Sequence, residues 1–141
     1  MTELKAIVPG ATVTPFKREG TFQHWARYAG VNYEYADHHM DDEVGRHEGF
    51  PAAFGMAPLI HAYLHSMLRN WIDPDNGRVI SIGMQLRKPF LHKRTLTASG
   101  TVKAVREEAG ELHIELDIWA DDDTGDRLVN GTAKVAIQKS A

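Results

Sequence analysis

An α+β domain, in which an antiparallel sheet wraps around one long buried helix, is predicted by three observations. First, Gly55–Ile72 places apolar residues nearly all round a helix of about five turns. Second, four later runs between Val79 and Ile137 alternate apolar and polar residues with a period of two, the pattern of strands with one wet face. Third, Glu108-Ala109-Gly110 and Asp123-Thr124-Gly125-Asp126 fall between successive runs as hairpin turns. A chain of 141 residues is long enough to bury about two-thirds of its unfolded surface in one domain. A helix apolar on most sides then needs something broad to cover it, and the strands of the second half supply that cover.

The elements follow in order. Ala11–Arg18 reads as a short strand ending near Pro15. Thr21–Ala29 reads as a helix capped by Thr21, with Phe22, Trp25, Ala26 and Ala29 at spacings of three and four and Gly30 as its stop. A polar and aromatic stretch, 32–39, leads to the acidic turn Asp41-Asp42-Glu43. Asp42 is placed to cap a short helix through Arg46, ended by Gly49. In the long helix Pro58 belongs to the first turn, where its missing N–H costs little. Met56, Leu59, Ile60, Tyr63, Leu64, Met67, Leu68 and Trp71 cover most of the circumference. His61, His65 and Arg69 form one polar stripe, roughly 80° wide. These histidines read as satisfied core or interface residues.

A turn at 73–77 opens the strand region. The inner faces expected are Ile80, Ile82, Met84 and Leu86, then Leu96, Ala98, Gly100, Val102 and Ala104. Leu112, Ile114, Leu116, Ile118 and Ala120 follow, and last Val129, Gly131, Ala133, Val135 and Ile137. A curved meander around a helix is the hot-dog architecture. Its open strand edges and half-covered face predict association into a homodimer or a higher even oligomer, with a heterodimer as an alternative.

Composition excludes several classes. An apolar fraction of 43% with 25% charged residues is that of an ordered globular protein. With 16 Lys plus Arg against 19 Asp plus Glu, there is no basic footprint for nucleic acid or anionic membrane. The absence of Cys removes disulfides, thiolate nucleophiles and Cys-ligated metals. No window approaches the 18 or so apolar residues of a membrane span. Residues 1–10 carry only Ala6-Ile7-Val8 where a secretory leader needs a longer apolar run. No repeat, low-complexity tract or linker divides the chain. A single domain over residues 1–141 and a cytoplasmic location are expected.

The densest chemistry is Glu34, Asp37, His38, His39, Asp41, Asp42 and His47. One reading is a solvated, capping loop. A metal site is a second, but no standard ligand spacing is present, and His61 with His65 lacks the Glu of an H-E-x-x-H motif. The third is acid–base work by a carboxylate and an imidazole. Glu34 and His39 are five residues apart, which puts them on opposite faces of a strand and about 140° apart on a helix. They converge only if Ala36-Asp37 bends out of regular structure. Asp37 and His39, two apart, share a face if extended and remain a rival pair.

Two further features stand out. Phe54-Gly55-Met56 opens the long helix, whose N-terminus offers free N–H groups and partial positive charge. Gly55 there either makes the turn or admits a ligand oxygen. Arg87-Lys88-Pro89-Phe90 with His92-Lys93-Arg94 is either a solvated strand end or a landing site for phosphates. Trp25, Tyr28, Tyr33, Tyr35, Phe50 and Phe54 read as core or pocket wall.

The sequence resembles the MaoC-like hydratase/dehydratase family. The resemblance is carried by Tyr28-Ala29-Gly30, 34–41 (EYADHHMD), Gly49-Phe50-Pro51, Phe54-Gly55-Met56, Leu86-Arg87-Lys88-Pro89 and Arg94-Thr95-Leu96-Thr97. It covers most of the chain from about residue 20. It implies a hot-dog fold, no cofactor, and addition of water to an enoyl thioester of CoA or the reverse dehydration. Carried over, Glu34 stands where the family has Asp, His39 matches the family His, and Gly55 matches the glycine whose N–H binds the thioester oxygen. Asp37, Phe54, Met56, Arg87 and Lys88 are the expected substrate contacts. Ala36-Asp37 replaces the family Asn-Pro, and Phe54 replaces the His before the glycine. A hot-dog thioesterase, a non-catalytic acyl-binding subunit of a heteromeric hydratase, and a dehydratase of a small metabolite are the alternatives.

Overall fold

The alternating runs form one five-stranded antiparallel sheet in the order β1-β3-β4-β5-β2. The computed structural model describes residues 7–72 and 74–139. Asp73 of the expected turn, Ala6 of the N-terminal apolar patch and both ends of the 1–141 domain lie outside the described residues. Its elements are β1 (Thr12–Glu19), α1 (Phe22–Asn32), a 3-10 turn (Asp37–His39), α2 (Asp42–His47), α3 (Ala57–Trp71), β2 (Gly77–Leu86), β3 (Thr95–Glu108), β4 (Glu111–Asp122) and β5 (Arg127–Gln138).

The expected wrapping is present. Leu59, Ile60, Tyr63, Leu64, Met67, Leu68 and Trp71 of α3 are buried in one core with Leu96, Ala98 and Val102 of β3. Ile114, Leu116, Ile118 and Ala120 of β4 and Val129, Ala133 and Val135 of β5 complete it. Fully burying one such aliphatic side chain contributes about 1.5–3 kcal/mol. No helix among the described residues is long and apolar enough to cross a membrane.

Local phase departs from the sequence pattern where strands bulge. β1 does not end at Pro15. Its register shifts between Val13 and Phe16, and Pro15 sits in that irregularity of an edge strand, where no ladder N–H is required. In β2 a shift between Val79 and Ser81 turns Ile80 outward, 46% exposed, and gives its inner place to Val79. Leu86 is likewise 46% exposed rather than inward. In β3 the shift between Val102 and Ala104 exposes Ala104 and turns Val105 against the core.

The helices show similar corrections. α1 runs through Gly30 and stops at Tyr33, which takes the left-handed conformation (φ 57°) that Gly30 was expected to supply. Asp41, not Asp42, caps α2 by accepting from the Glu43 N–H. α3 begins at Ala57 rather than Gly55, with Pro58 in its first turn. His61 and His65 are exposed on it, so they are not core residues.

Candidate active site

The site is built where the irregular front of the chain meets the start of α3. Tyr33 ends α1 in the left-handed region, and the Glu34 N–H still bonds to the Ala29 carbonyl at 3.2 Å. The chain then tightens into the 3-10 turn, with His39 N bonded to Ala36 O at 3.0 Å and Met40 N to Asp37 O at 2.9 Å. This is the bend that Ala36-Asp37 had to provide. It brings the Glu34 Oε1 to 3.8 Å from His39 Nε2. The rival pairing fails for the same reason. Residues 37–39 are not extended, and Asp37 is exposed and does not line the cavity.

His39 is 5% exposed. Its Nδ1 lies 2.6 Å from the Phe54 carbonyl oxygen. A carbonyl only accepts, so Nδ1 carries the proton, and in the neutral ring Nε2 is an unprotonated base. The gap to Glu34 is too long for a direct hydrogen bond. Two acceptors facing each other at this distance suit a molecule that donates to both, and a water has that chemistry.

The pair opens onto a cavity of about 420 Å³. Phe50, Phe54, Pro58, Ile60 and Leu86 give it an apolar wall, and Arg87 and Lys88 stand at its edge. Lys88 is tied to Asp126 at 2.6 Å, whereas Arg87 makes no side-chain ion pair among the described residues. Of the expected substrate contacts, Phe54, Arg87 and Lys88 line the cavity. Asp37 does not, and neither does Met56, which is 1% exposed and packed in the core.

Gly55 lines the cavity, but its N–H is engaged with the Phe90 carbonyl at 2.7 Å. It is therefore not the free donor that the motif implies. The glycine is required by packing instead. A Cβ there would lie 3.2 Å from Phe90 Cδ1 and 3.3 Å from Trp25 Cε2. At the start of α3 the Met56 and Ala57 amides have no acceptor among the described residues, and Ala57 lines the cavity. Pro58 has no N–H to add.

A second tie frames the site and has no signal in the sequence. His92 Nδ1 lies 3.1 Å from both carboxylate oxygens of Asp42, 50 positions away. Asp42 also accepts from the Ala53 N–H at 3.0 Å, and the His92 ring stacks on Phe22 with centroids 3.7 Å apart. Burial pushes the Asp42 carboxyl up, but the Ala53 N–H and His92 outweigh it and hold the group below the usual aspartate value. Near Glu34, burial, with the Glu34 charge behind it, raises the Tyr28 hydroxyl. Among the described residues there is no group of three His, Asp or Glu that could hold a metal ion.

Fold and site together define a hot-dog protein with a carboxylate–imidazole pair at the start of its enclosed helix. No protein-family model matches the chain, and no curated protein matches it by sequence. Solved structures do match it. The ChsH1–ChsH2 complex from Mycobacterium tuberculosis contains a chain 23% identical, at TM-score 0.82, over 94% of this chain and 99% of that one. The (R)-hydratase from A. caviae involved in PHA biosynthesis is 16% identical, at TM-score 0.82, over 93% and 97%. The MaoC-like dehydratase from Rhodospirillum rubrum is 16% identical, at TM-score 0.82, over 100% and 99%. The chain thus has the MaoC-like hot-dog fold, as its motifs led one to expect.

Proposed function

We propose that the chain is a hydro-lyase acting on acyl thioesters, adding water to an enoyl thioester or removing it from a 3-hydroxyacyl thioester. The observation that carries this reading is the buried imidazole. Its Nδ1 is locked on a carbonyl, its Nε2 is left as a base, and a carboxylate faces it across 3.8 Å at the wall of an apolar cavity.

In the hydration direction a water donates to Glu34 and to His39 Nε2, which leaves its lone pair for C3 of the enoyl group. The C3–O bond forms as one of the two bases takes the proton. The electron pair of the double bond moves through C2 onto the thioester oxygen, giving an enolate. The Ala57 N–H, at the positive end of α3, holds that oxygen. The site then returns a proton to C2, so the water is consumed and the bases are restored. Dehydration runs through the same groups in reverse. The apolar wall suits an acyl chain, and Arg87 at the edge, without an ion pair among the described residues, suits the phosphates of CoA.

Glu34→Gln and His39→Ala are each expected to lower kcat for crotonyl-CoA hydration by about a hundredfold or more. Unchanged hydration in both variants would discard the assignment. Release of free thiol without loss of the double bond would favour a thioesterase instead. Activity that arises only on adding a second chain would favour a heteromeric enzyme. The structural neighbour from the ChsH1–ChsH2 complex gives a specific reason to look for that outcome.

A further inference from the structure

His38 lies beside the imidazole and has no part in the chemistry above. Its ring is parallel to that of Phe54, with centroids 4.8 Å apart and 8° between planes. Its backbone oxygen accepts from the Phe54 N–H at 3.2 Å. Its Nδ1 lies 2.9 Å from Glu48 Oε2. The side chain is therefore held at one end by Glu48 and laid along Phe54 at the other. Phe54 in turn supplies the carbonyl that takes the proton of His39 Nδ1 at 2.6 Å. That is the only side-chain hydrogen bond His39 makes among the described residues.

An imidazole has two neutral tautomers. The one with the proton on Nε2 would present a donor to the cavity where a base is needed. What selects the useful tautomer is the placement of one carbonyl. Its peptide is tied through the Gly55 N–H to the Phe90 carbonyl at 2.7 Å, and the Phe54 side chain is held by His38 on one ring face, with Phe50 at 4.3 Å. The groups that face His38 are Glu48 and the His39 ring itself, edge to face at 4.3 Å.

We propose that His38, clamped by Glu48, is a positioning residue. Together with the Gly55 N–H bond to Phe90, it fixes the Phe54 carbonyl and thereby keeps Nδ1 of His39 protonated and Nε2 free. The inference rests on His39 being the catalytic base, yet its first readout does not require turnover. The experiment compares the full-length chain with His38→Ala, His38→Phe and Glu48→Ala. It records the ¹⁵N spectrum of the His39 ring above neutral pH, and kcat and KM for enoyl-CoA hydration.

Wild type is expected to show the Nδ1–H tautomer. His38→Ala is expected to show a mixture, with kcat lowered by about tenfold to a hundredfold and KM within about twofold, since a shift on the order of 1 Å in a catalytic group can cost that much. His38→Phe restores the stacked ring and should recover the tautomer and most of kcat. Glu48→Ala, changed at a half-exposed position, should give a smaller change in the same direction, and it serves if His38→Ala does not fold. A folded His38→Ala with wild-type tautomer and kcat overturns the proposal, as does a His38→Phe no better than His38→Ala. Absence of hydration in the wild type would sink the functional reading, while the ring spectrum would still decide the role of His38.

Discussion

Glu34 Oε1 and His39 Nε2 face each other across 3.8 Å, and because Nδ1 of the same ring gives its proton to the Phe54 carbonyl, Nε2 of the neutral ring is a second acceptor beside the carboxylate. The arrangement is stable when a third group donates to both. Shortening the acid by one methylene in Glu34→Asp widens the gap by about 1 Å. That weakens the shared contact while keeping its chemistry. The expected result is a kcat loss of about tenfold to a hundredfold, smaller than in Glu34→Gln, with KM little changed. Steady-state hydration kinetics on one enoyl-CoA check it. A Glu34→Asp variant as dead as Glu34→Gln would mean that reach, not merely ionisation, sets activity.

The proposed role of the Ala57 N–H as oxyanion donor can be tested at one atom. Ala57 is the first residue of α3, a position where proline is well tolerated, and Met56 before it has the extended backbone (φ −70°, ψ 135°) that precedes proline readily. Ala57→Pro removes one N–H and little else. Loss of one such donor costs about 10²–10³ in kcat. We expect that loss with an unchanged melting temperature and a KM within about threefold. A fully active Ala57→Pro would return the oxyanion to another donor.

Much of this was legible from the residues. β4 keeps strict alternation because the extra residue of the β3–β4 bulge, Lys103, lies on β3 and not on β4, so Ile114, Leu116 and Ile118 fall inward as read. β2 and β3 slip by one residue at bulges, and no local composition marks Ile80 or Lys103 as the slip. The helix α1 overruns Gly30 because a tyrosine takes the left-handed turn, a conformation that propensity assigns to glycine or asparagine. In the site, the convergence of Glu34 and His39 followed from the need for a bend. The loss of the Gly55 N–H to Phe90 did not, because the partner is 35 positions away. The clearest case is Gly45. Alanine is the better helix former there, but its Cβ would lie 2.3 Å from the Ala52 oxygen, so tertiary contact alone demands glycine.

Acid stability should report on the Asp42–His92 tie. Asp42 has a folded value held below its ordinary one, so the stabilisation it provides is complete above about pH 4 and is lost as pH falls through the folded value. Glu111 and Asp122 are lowered too and contribute in the same pH range. Asp42→Asn keeps an acceptor for the Ala53 N–H but removes the titration. It should be less stable than wild type at neutral pH and should lose less stability between about pH 5 and pH 3. Urea melts at the two pH values measure the difference. Parallel curves for wild type and Asp42→Asn would show that the tie is not linked to protons.

The two cations at the cavity edge are not equivalent. Lys88 spends its charge on Asp126 at 2.6 Å, while Arg87 has no ion-pair partner among the described residues. If the substrate carries the phosphates of CoA, Arg87 meets them without giving up an existing contact, and its fork of donors suits them better than an ammonium does. Arg87→Ala should therefore raise KM for an enoyl-CoA about tenfold, and Lys88→Ala by less than about threefold, with kcat unchanged in both because the contact lies far from the reacting carbons. The decisive control is an enoyl N-acetylcysteamine thioester, which has the acyl group and the sulfur but no phosphate. Its KM should be equal in wild type and Arg87→Ala. An equal rise in KM for both substrates would place Arg87 against the acyl end, and would move the carrier of the acyl group to another face of the cavity.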